Sequence, residues 1–301
     1  MSAIVLKGIK VVKSIEADLK ARIAAYAACL QRPKLVIVRV GGRADDEAYE
    51  RGAIKRCGSV GIMCESRAYD SDISNNRFVE EFTQINADPS VHGILVMSPL
   101  PAGIDAGAVK TIIDPVKDVD CISPVNVAKL YSGDMSGHAP CTPSAVMELL
   151  KYYQIEISGK LVTVVGRSPV VGKPLAMLLL AANATLTICH TRTADLAGEC
   201  RRADILVAAA GKARMLGADC VKPGAVVVDV GINVGEAGTL YGDVDYDAAA
   251  AIAGGITPVP GGVGAVTTAI LAKHTLDAYA YTRTQGDGSP VLVGRGILDA
   301  P

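Results

Sequence analysis

Aromatic side chains and an excess of one charge are both scarce in this sequence of 301 residues. It contains no tryptophan, ten tyrosines and two phenylalanines, Phe78 and Phe82. The 30 lysines and arginines are balanced by 31 aspartates and glutamates, which gives a net charge of −1. Proteins that bind single-stranded nucleic acid use a basic groove and stacking aromatic side chains. We therefore expect no nucleic-acid partner.

Paired metal ligands are also missing. The eight cysteines form no CxxC motif, and the single HxxC motif, His138 to Cys141, has no second ligand pair to complete a zinc site. Asp243 and Asp245 in the string GDVDY are spaced as a metal pair could be, but a surface turn is the interpretation we favour. The sequence therefore predicts no bound metal.

Signals for secretion or membrane insertion are absent from the sequence as well. The scattered cysteines are interpreted as free thiols in a reducing, cytoplasmic compartment. No apolar run approaches the roughly 18 residues that cross a bilayer, and residues 1–13 lack the apolar core of a secretory signal. We expect a cytoplasmic protein without a membrane partner.

The hydrophobic pattern is that of a compact α/β protein. Half of the residues are hydrophobic, 20% are charged and the mean hydropathy is +0.32, which excludes a disordered chain. Short apolar strings alternate with amphipathic stretches such as residues 12–30, and this alternation favours parallel sheets covered by helices. The predicted strands are residues 34–40, 62–69, 93–97, 161–165, 186–189, 205–209 and 225–230.

A proline- and glycine-rich stretch divides the chain. Residues 114–143 loosen the pattern, so we predict one domain over residues 1–140 and a second over 141–264. A final helix at 263–281 is long enough to cross back onto the first domain, which residues 265–301 would complete. The glycine-rich tail at its end is expected to be extended or poorly ordered.

A candidate phosphate-binding turn begins the second domain. The segment 164–174, VVGRSPVVGKP, follows a strand and opens a helix, as a dinucleotide turn does. A dinucleotide turn usually has three glycines, and this segment has two of them, Gly166 and Gly172. The pattern alone fits a nucleotide turn and a plain strand-to-helix turn equally well.

The end of the next predicted strand bears on the type of cofactor. An NAD site usually has a carboxylate there for the ribose hydroxyls, whereas this chain has Cys189-His-Thr-Arg-Thr193. Arg167, Thr191 and Arg192 could instead bind a ribose phosphate. This favours NADP, with NAD still possible.

Six strings occur together in a recognisable order. They are GILVMSPLP at 93–101, KDVD at 117–120, PCTP at 140–143, VGRS with VGKP at 165–174, DVGIN at 229–233 and TPVPGGVG at 257–264. Over residues 5–281 the chain resembles the methylenetetrahydrofolate dehydrogenase/cyclohydrolase family. The resemblance implies an N-terminal folate-binding α/β domain, a Rossmann-like NAD(P)-binding domain, a C-terminal helix that returns to the first domain, and a homodimer. The implied activity is an oxidoreductase of one-carbon metabolism that acts on a tetrahydrofolate derivative.

The same resemblance implies roles for individual residues. Tyr49 would pack on the folate rings and Asp120 would hold the amino edge of the pterin, so these two are the candidate catalytic residues. Further substrate contacts would come from Met97, Pro99, Leu100, Pro260, Gly261 and Gly262. The cofactor would be bound by Gly166, Arg167, Ser168, Val171, Gly172, Thr191, Arg192, Gly211 and Ile232.

Two positions depart from the family pattern. Bifunctional members have a lysine four residues after the tyrosine, where this chain has Ala53, and a glutamine where it has Met97. Lys55 lies about 120° around an ideal helix from Tyr49, although Gly52 could distort that helix. Because water addition needs proton transfer more than hydride transfer does, we predict a dehydrogenase with weak or absent cyclohydrolase activity. The alternatives are a fully bifunctional enzyme and a regulator that binds folate or dinucleotide without catalysis.

Overall fold

The computed structural model describes residues 3–26 and 31–284, which form two compact units. Of the described residues, the first unit comprises 14–26, 31–141 and 268–284, and the second comprises 3–13 and 142–267. Residues 27–30, at the end of the predicted helix 12–30, and the predicted extended tail 285–301 lie outside the described residues.

Helices and strands alternate along most of the chain, as the sequence pattern predicts. In chain order the elements are β1 (Ile4–Val5), α1 (Gly8–Ala25), β2 (Lys34–Val40), α2 (Ala44–Val60), β3 (Met63–Tyr69), α3 (Asn75–Ala87), β4 (Gly93–Val96), α4 (Ala106–Ile112), α5 (Pro124–Ser132), α6 (Cys141–Tyr152), β5 (Leu161–Val165), α7 (Gly172–Ala181), β6 (Thr185–Cys189), α8 (Leu196–Arg201), β7 (Ile205–Ala208), β8 (Val226–Asp229), β9 (Asn233–Val234), β10 (Leu240–Tyr241), α9 (Tyr246–Ala250), β11 (Gly255–Ile256) and α10 (Thr267–Thr284).

The sheet of the first unit is parallel and has β2 at its centre. Its order is β3-β2-β4, and Val36 lies opposite Glu65 on one side and Ile94 on the other. Beyond β4, Asp118 forms a parallel bridge with Ile94, so the segment 117–119 runs beside β4 in the same direction. Four chain segments therefore end at the same carboxyl edge.

The two phenylalanines of the chain pack in this unit. Phe78 and Phe82 lie one turn apart on α3, both fully buried, with ring centroids 6.2 Å apart. Tyr69 meets Phe78 edge to face at 5.5 Å. The scarce large aromatics thus fill the core that covers this sheet.

Helix α2 runs without interruption through Gly52. Its first turn carries Asp45, Asp46 and Glu47, whose charges favour a helix N-terminus. The helix ends at Gly61, which adopts φ +94°, a conformation that glycine accepts without steric cost. The distortion at Gly52 considered from the sequence is not present.

The second unit contains a six-stranded sheet in which every strand pair is parallel. Its order is β1-β11-β8-β7-β5-β6. The chain leaves β5 toward β6 and then crosses to β7 on the other side, so the strand order reverses beside β5. Ligands of open α/β sheets bind at such a point. The predicted phosphate-binding turn is the segment that follows β5.

Helix α10 belongs to the first unit for nearly its whole length, although the chain reaches it from the second unit. A short 3-10 turn at Val263–Ala265 precedes it. Within residues 3–26 and 31–284, no helix is both long and apolar enough to span a membrane.

Candidate active site

Tyr49 and Ala53 lie on the same face of α2, one turn apart. Tyr49 is half-buried, and Ala53 has no exposed surface. Lys55 is exposed to solvent. The regular helix therefore places a buried methyl group, and not an amine, one turn after the tyrosine.

A buried ion pair lies next to Tyr49 in the chain. Glu50 is nearly fully buried and its Oε2 accepts a hydrogen bond of 2.9 Å from Nε of Arg39 on β2. The Arg39 guanidinium also donates to the carbonyl of Gly41 and lies 3.6 Å from a carboxylate oxygen of Glu47. These contacts hold the start of α2 against the carboxyl end of β2. Sequence analysis did not identify this pair, because its members are eleven positions apart on different elements.

The two aspartates of the KDVD string have different environments. Asp118 has no exposed surface, and its carboxylate accepts hydrogen bonds from the backbone of Ile122 and Ser123 and from the amide of Asn126 at 2.8–3.0 Å. At Asp120, Oδ1 accepts a hydrogen bond of 2.7 Å from the backbone N–H of Cys141, and the Cys141 thiol is a second hydrogen-bond partner of this carboxylate. Asp118 is therefore bonded to three separate groups of the fold, whereas the hydrogen bonds described at Asp120 come from Cys141 alone.

The environment of Asp120 also disfavours its charge. Burial raises the pKa of this carboxyl to about 6, against the opposing effect of its hydrogen bond to Cys141. Two N–H groups that bind a carboxylate in such surroundings stabilise it more than they would stabilise a carboxylate in water.

Met97, Pro99 and Leu100 follow β4. The backbone N–H of Met97 bonds to the carbonyl of Val38 at 2.9 Å, so the sheet pairing continues to this residue, whose side chain is buried. Pro99 is exposed after a cis peptide bond, and Leu100 is half-buried. Tyr49, Met97 and Asp120 thus follow three segments that end at the same edge of one parallel sheet.

In the second unit, the turn after β5 requires both of its glycines. A Cβ atom at Gly166, where φ is +137°, would lie 2.1 Å from the carbonyl oxygen of Ala209. A Cβ at Gly172 would lie 2.2 Å from the carbonyl oxygen of Gly166. The hydroxyl of Ser168 accepts hydrogen bonds from the N–H groups of Val171 and Gly172 at 3.1 and 3.4 Å. The turn is therefore closed tightly against the ends of β5 and β7.

Arg167, Thr191 and Arg192 are all exposed just beyond the adjacent strands β5 and β6. The N–H of Gly166 bonds to the carbonyl of Cys189 at 2.9 Å and joins the two strand ends. In the described part of the chain, neither guanidinium forms an ion pair with a carboxylate. Their charges remain available to an anionic ligand at this edge.

The position of Asp243 differs from the surface turn expected from the sequence. It is not in a surface turn: it has no exposed surface and accepts hydrogen bonds from the backbone of residues 210–212 and from the amide of Asn233. Gly211 belongs to this loop, with φ +67° and its N–H 2.9 Å from Oδ2 of Asp243. Asp245, two residues later, caps α9, and its carboxylate accepts a hydrogen bond from the N–H of Ala248.

Asp229 is buried beside Asp243 at the end of β8. It accepts backbone hydrogen bonds from Gly231, Asp243 and Val244. Burial raises the pKa of its carboxyl to about 6. No cluster of three or more metal-ligating side chains occurs in residues 3–26 and 31–284.

Pro260, Gly261 and Gly262 line a cavity of about 320 Å³, together with Ile232, which is largely exposed. The loop of residues 260–262 is held by an N-terminal residue of the same unit, because the N–H of Gly8 donates a hydrogen bond of 2.8 Å to the carbonyl of Gly261. A Cβ at Gly8 would lie 2.1 Å from the carbonyl oxygen of Gly262. The loop therefore presents a rigid backbone to the cavity.

Comparisons with known proteins identify the family. Residues 6–120 match the model of the tetrahydrofolate dehydrogenase/cyclohydrolase catalytic domain, and residues 140–283 match that of its NAD(P)-binding domain. The chain belongs to this family. It is 54% identical over 246 residues to the bifunctional protein FolD of Alkaliphilus oremlandii, an alignment that covers 82% of this chain and 86% of the relative.

Solved structures agree with this assignment. The bifunctional FolD methylenetetrahydrofolate dehydrogenase/cyclohydrolase of Campylobacter jejuni matches with a TM-score of 0.91 and 38% identity, covering 93% of this chain and all of the other. The FolD of Trypanosoma brucei, solved with NADP cofactor and an inhibitor, matches with a TM-score of 0.89 and 36% identity, covering 94% and 99%. The predicted family and two-domain α/β fold are confirmed, and the chain is an NAD(P)-dependent methylenetetrahydrofolate dehydrogenase.

Proposed function

We propose that this enzyme oxidises methylenetetrahydrofolate to methenyltetrahydrofolate with NADP and has little or no cyclohydrolase activity. The observation that carries this proposal is the fully buried Ala53 one helical turn after Tyr49. The oxidation and the subsequent hydrolysis make different demands on side chains, and this chain retains the groups for the first.

The residues of the second unit fit a bound NADP. Gly166 and Gly172 leave room for a close backbone approach at the strand reversal. Arg167, Thr191 and Arg192 offer two cations and a hydroxyl at the position where an NAD site usually has a carboxylate. This set supports binding of a ribose phosphate and hence NADP over NAD.

Hydride transfer depends mainly on positioning. NADP, when bound, supplies the nicotinamide ring that accepts the hydride. The reacting methylene carbon of the folate lies between two nitrogens, whose lone pairs stabilise the cation that develops there, so no side-chain base is required. Asp120 would orient the folate through the N–H groups of its pterin, and Tyr49 would pack on its rings.

Water addition to the methenyl product has a further requirement. Addition and ring opening both move protons, for which an amine with a lowered pKa is suited. Ala53 and Met97 supply no such group, and Lys55 is exposed on a different face of α2. Glu50, a buried charge on α2, is neutralised by Arg39 of β2. These features support a loss of cyclohydrolase activity.

The test is to supply methylenetetrahydrofolate and NADP and to quantify the methenyl and formyl products over time. The bifunctional FolD of Campylobacter jejuni is the positive control, and a sample without enzyme measures spontaneous hydrolysis. We expect methenyltetrahydrofolate to accumulate, with formyl product forming at the spontaneous rate. Rapid enzymatic formation of the formyl compound would support the bifunctional alternative. No reduction of either NADP or NAD would support the non-catalytic regulator.

Other predictions from the sequence stay proposals. We place folate binding in residues 1–140 completed by 265–301, and cofactor binding in residues 141–264, with contacts from Gly211 and Ile232 included. We also propose a cytoplasmic homodimer with no nucleic-acid partner. Equilibrium sedimentation would test the dimer.

A further inference from the structure

Two buried histidines in the first unit have no part in the mechanism above. His138 precedes α6 and His274 lies on α10, and each is 4% exposed. Their rings are 4.7 Å apart between centroids and inclined by 30°, so they lie nearly face to face. We call them the histidine pair.

Both rings bond to the chain segment that leads to Asp120. Nδ1 of His274 lies 2.9 Å from the carbonyl oxygen of Val119, and His138 forms a hydrogen bond with the carbonyl of Val116. A carbonyl oxygen can only accept, so the ring nitrogen at each contact carries the proton. The histidine pair thus donates to both ends of the segment 116–119.

The charge state of the histidine pair suits this role. Burial lowers the pKa of His138 to about 4 and that of His274 to about 3. Both rings are neutral at physiological pH and have one N–H each. The carbonyl contacts therefore fix which nitrogen is protonated and leave no net positive charge beside Asp120.

Cys141 connects the histidine pair to the carboxylate. Its Sγ lies 3.4 Å from the carbonyl oxygen of Val119 and 3.9 Å from Nδ1 of His274, and its N–H donates to Oδ1 of Asp120 at 2.7 Å. Earlier residues of the segment are held differently, since Lys117 donates from Nζ to the carbonyls of Asn86 and Asp88. Val119 and Asp120 are instead held by His274 and Cys141.

We propose that His274, with His138 stacked on it, is a positioning residue that sets the orientation of the Asp120 carboxylate by holding the carbonyl of Val119. This inference rests on the proposed function, in which Asp120 binds the folate. It assigns a role in substrate affinity to two side chains to which the family resemblance gives no role.

A third buried histidine of the same unit provides a matched control. His92 is 2% exposed, packs at 4.8 Å against the ring of Tyr279, and accepts at Nδ1 from the N–H of Lys34 at 3.1 Å. It lies at the amino end of β4, whereas Asp120 follows the carboxyl end of the neighbouring segment. Replacing His92 removes a buried imidazole without removing a contact to Val119.

The experiment compares H274L, H274N, H274Q and H92L in the full-length dehydrogenase. Nδ2 of asparagine can occupy the position of Nδ1, whereas glutamine places its amide one bond farther away. We expect H274L to raise the KM for methylenetetrahydrofolate by about fivefold to tenfold, the effect of one lost hydrogen bond. Its kcat and its KM for NADP should stay within about twofold. H274N should restore most of the affinity and H274Q should not.

H92L should lower thermal stability and leave the folate KM unchanged. An unchanged folate KM in H274L, or equal folate KM values in H274N and H274Q, would overturn the proposal. If H274L does not fold, the comparison of H274N with H274Q decides alone.

The variant D120N distinguishes a failure of the Asp120 proposal from a failure of the His274 proposal. If D120N binds folate as well as the unaltered enzyme, the proposed role of Asp120 fails. If D120N is impaired and the His274 variants are not, the role of His274 alone fails.

Discussion

The carboxyl edges of the two sheets differ in the groups that they offer to a ligand. In the second unit, the turn after β5 keeps both glycines that its packing demands, with a Cβ at either one colliding with a carbonyl oxygen. In the first unit, α2 carries Tyr49 and, one turn later, the buried Ala53, while its Glu50 is paired with Arg39 of β2. Under the proposed function, this difference would separate hydride transfer from water addition, because the first depends on positioning and the second on a titrating side chain.

The largest expected effect is on the retained turn. In G166A the methyl group would lie 2.1 Å from the carbonyl oxygen of Ala209 at φ +137°, so we expect the KM for NADP to rise by at least about tenfold and about 1–3 kcal/mol of stability to be lost. Steady-state kinetics and denaturant unfolding measure both. G159A is the control, since Gly159 has φ +72° and open space around it: it should lose stability and keep its KM. An unaltered KM in G166A would mean that this turn does not hold the cofactor.

A smaller effect is expected from the cations at the same edge. R192Q removes a charge that we propose binds the ribose phosphate, which in an exposed site should raise the KM for NADP by about tenfold and leave that for NAD within about twofold. R202Q is the matched control, because Arg202 is an exposed arginine already paired with Glu199 at 3.1 Å. Equal losses for the two cofactors would contradict the assignment of Arg192 to the phosphate.

The pH dependence of stability probes mainly the first unit, which contains His92, His138 and His274. Burial lowers their pKa values to about 4, 4 and 3, so below about pH 6.5 the unfolded chain binds protons more readily. Each histidine should then lower the free energy of unfolding by up to about 1.4 kcal/mol per pH unit.

Two carboxyls oppose this trend at lower pH. Asp120 and Asp229 have pKa values raised to about 6, so below pH 6 the folded state binds their protons more readily and they add stability as the pH falls. Below pH 6 the two carboxyls offset about two of the three histidines, so roughly the contribution of one histidine remains. We therefore expect a steep loss of stability from pH 6.5 to 6 and a shallower loss below pH 6. Denaturant unfolding at half-unit steps measures this, and stability that stays constant between pH 7 and 5 would contradict the neutral histidine pair.

Local signals in the sequence were enough to predict most of the fold. The β-branched strings predicted β2 and β5, and the strand-to-helix turn was located from Gly166 and Gly172 with its chain context. The two-residue strands β1 and β11 were not predicted, because neither carries a periodic pattern and each exists through pairing with a distant segment.

The polar interior was harder to predict for a related reason. Asp243 was assigned to a surface turn, yet it is buried, and it accepts hydrogen bonds from a loop that lies more than 30 residues earlier in the chain. The ion pair of Arg39 and Glu50, and the contact of His274 with Val119 across 155 residues, likewise depend on tertiary structure. Distinguishing Asp118 from Asp120 needed the tertiary hydrogen bonds, which come from three separate groups at Asp118 and from Cys141 at Asp120.

The fate of the methenyl product tests the central claim most directly. With methylenetetrahydrofolate and NADP supplied together, the account predicts that reduced cofactor and methenyltetrahydrofolate appear in equal amounts, while formyltetrahydrofolate forms no faster than in a sample given methenyl compound without enzyme. Formyl product that appears in step with reduced cofactor would contradict it, because some other group would then have to supply the proton transfers that Ala53 cannot.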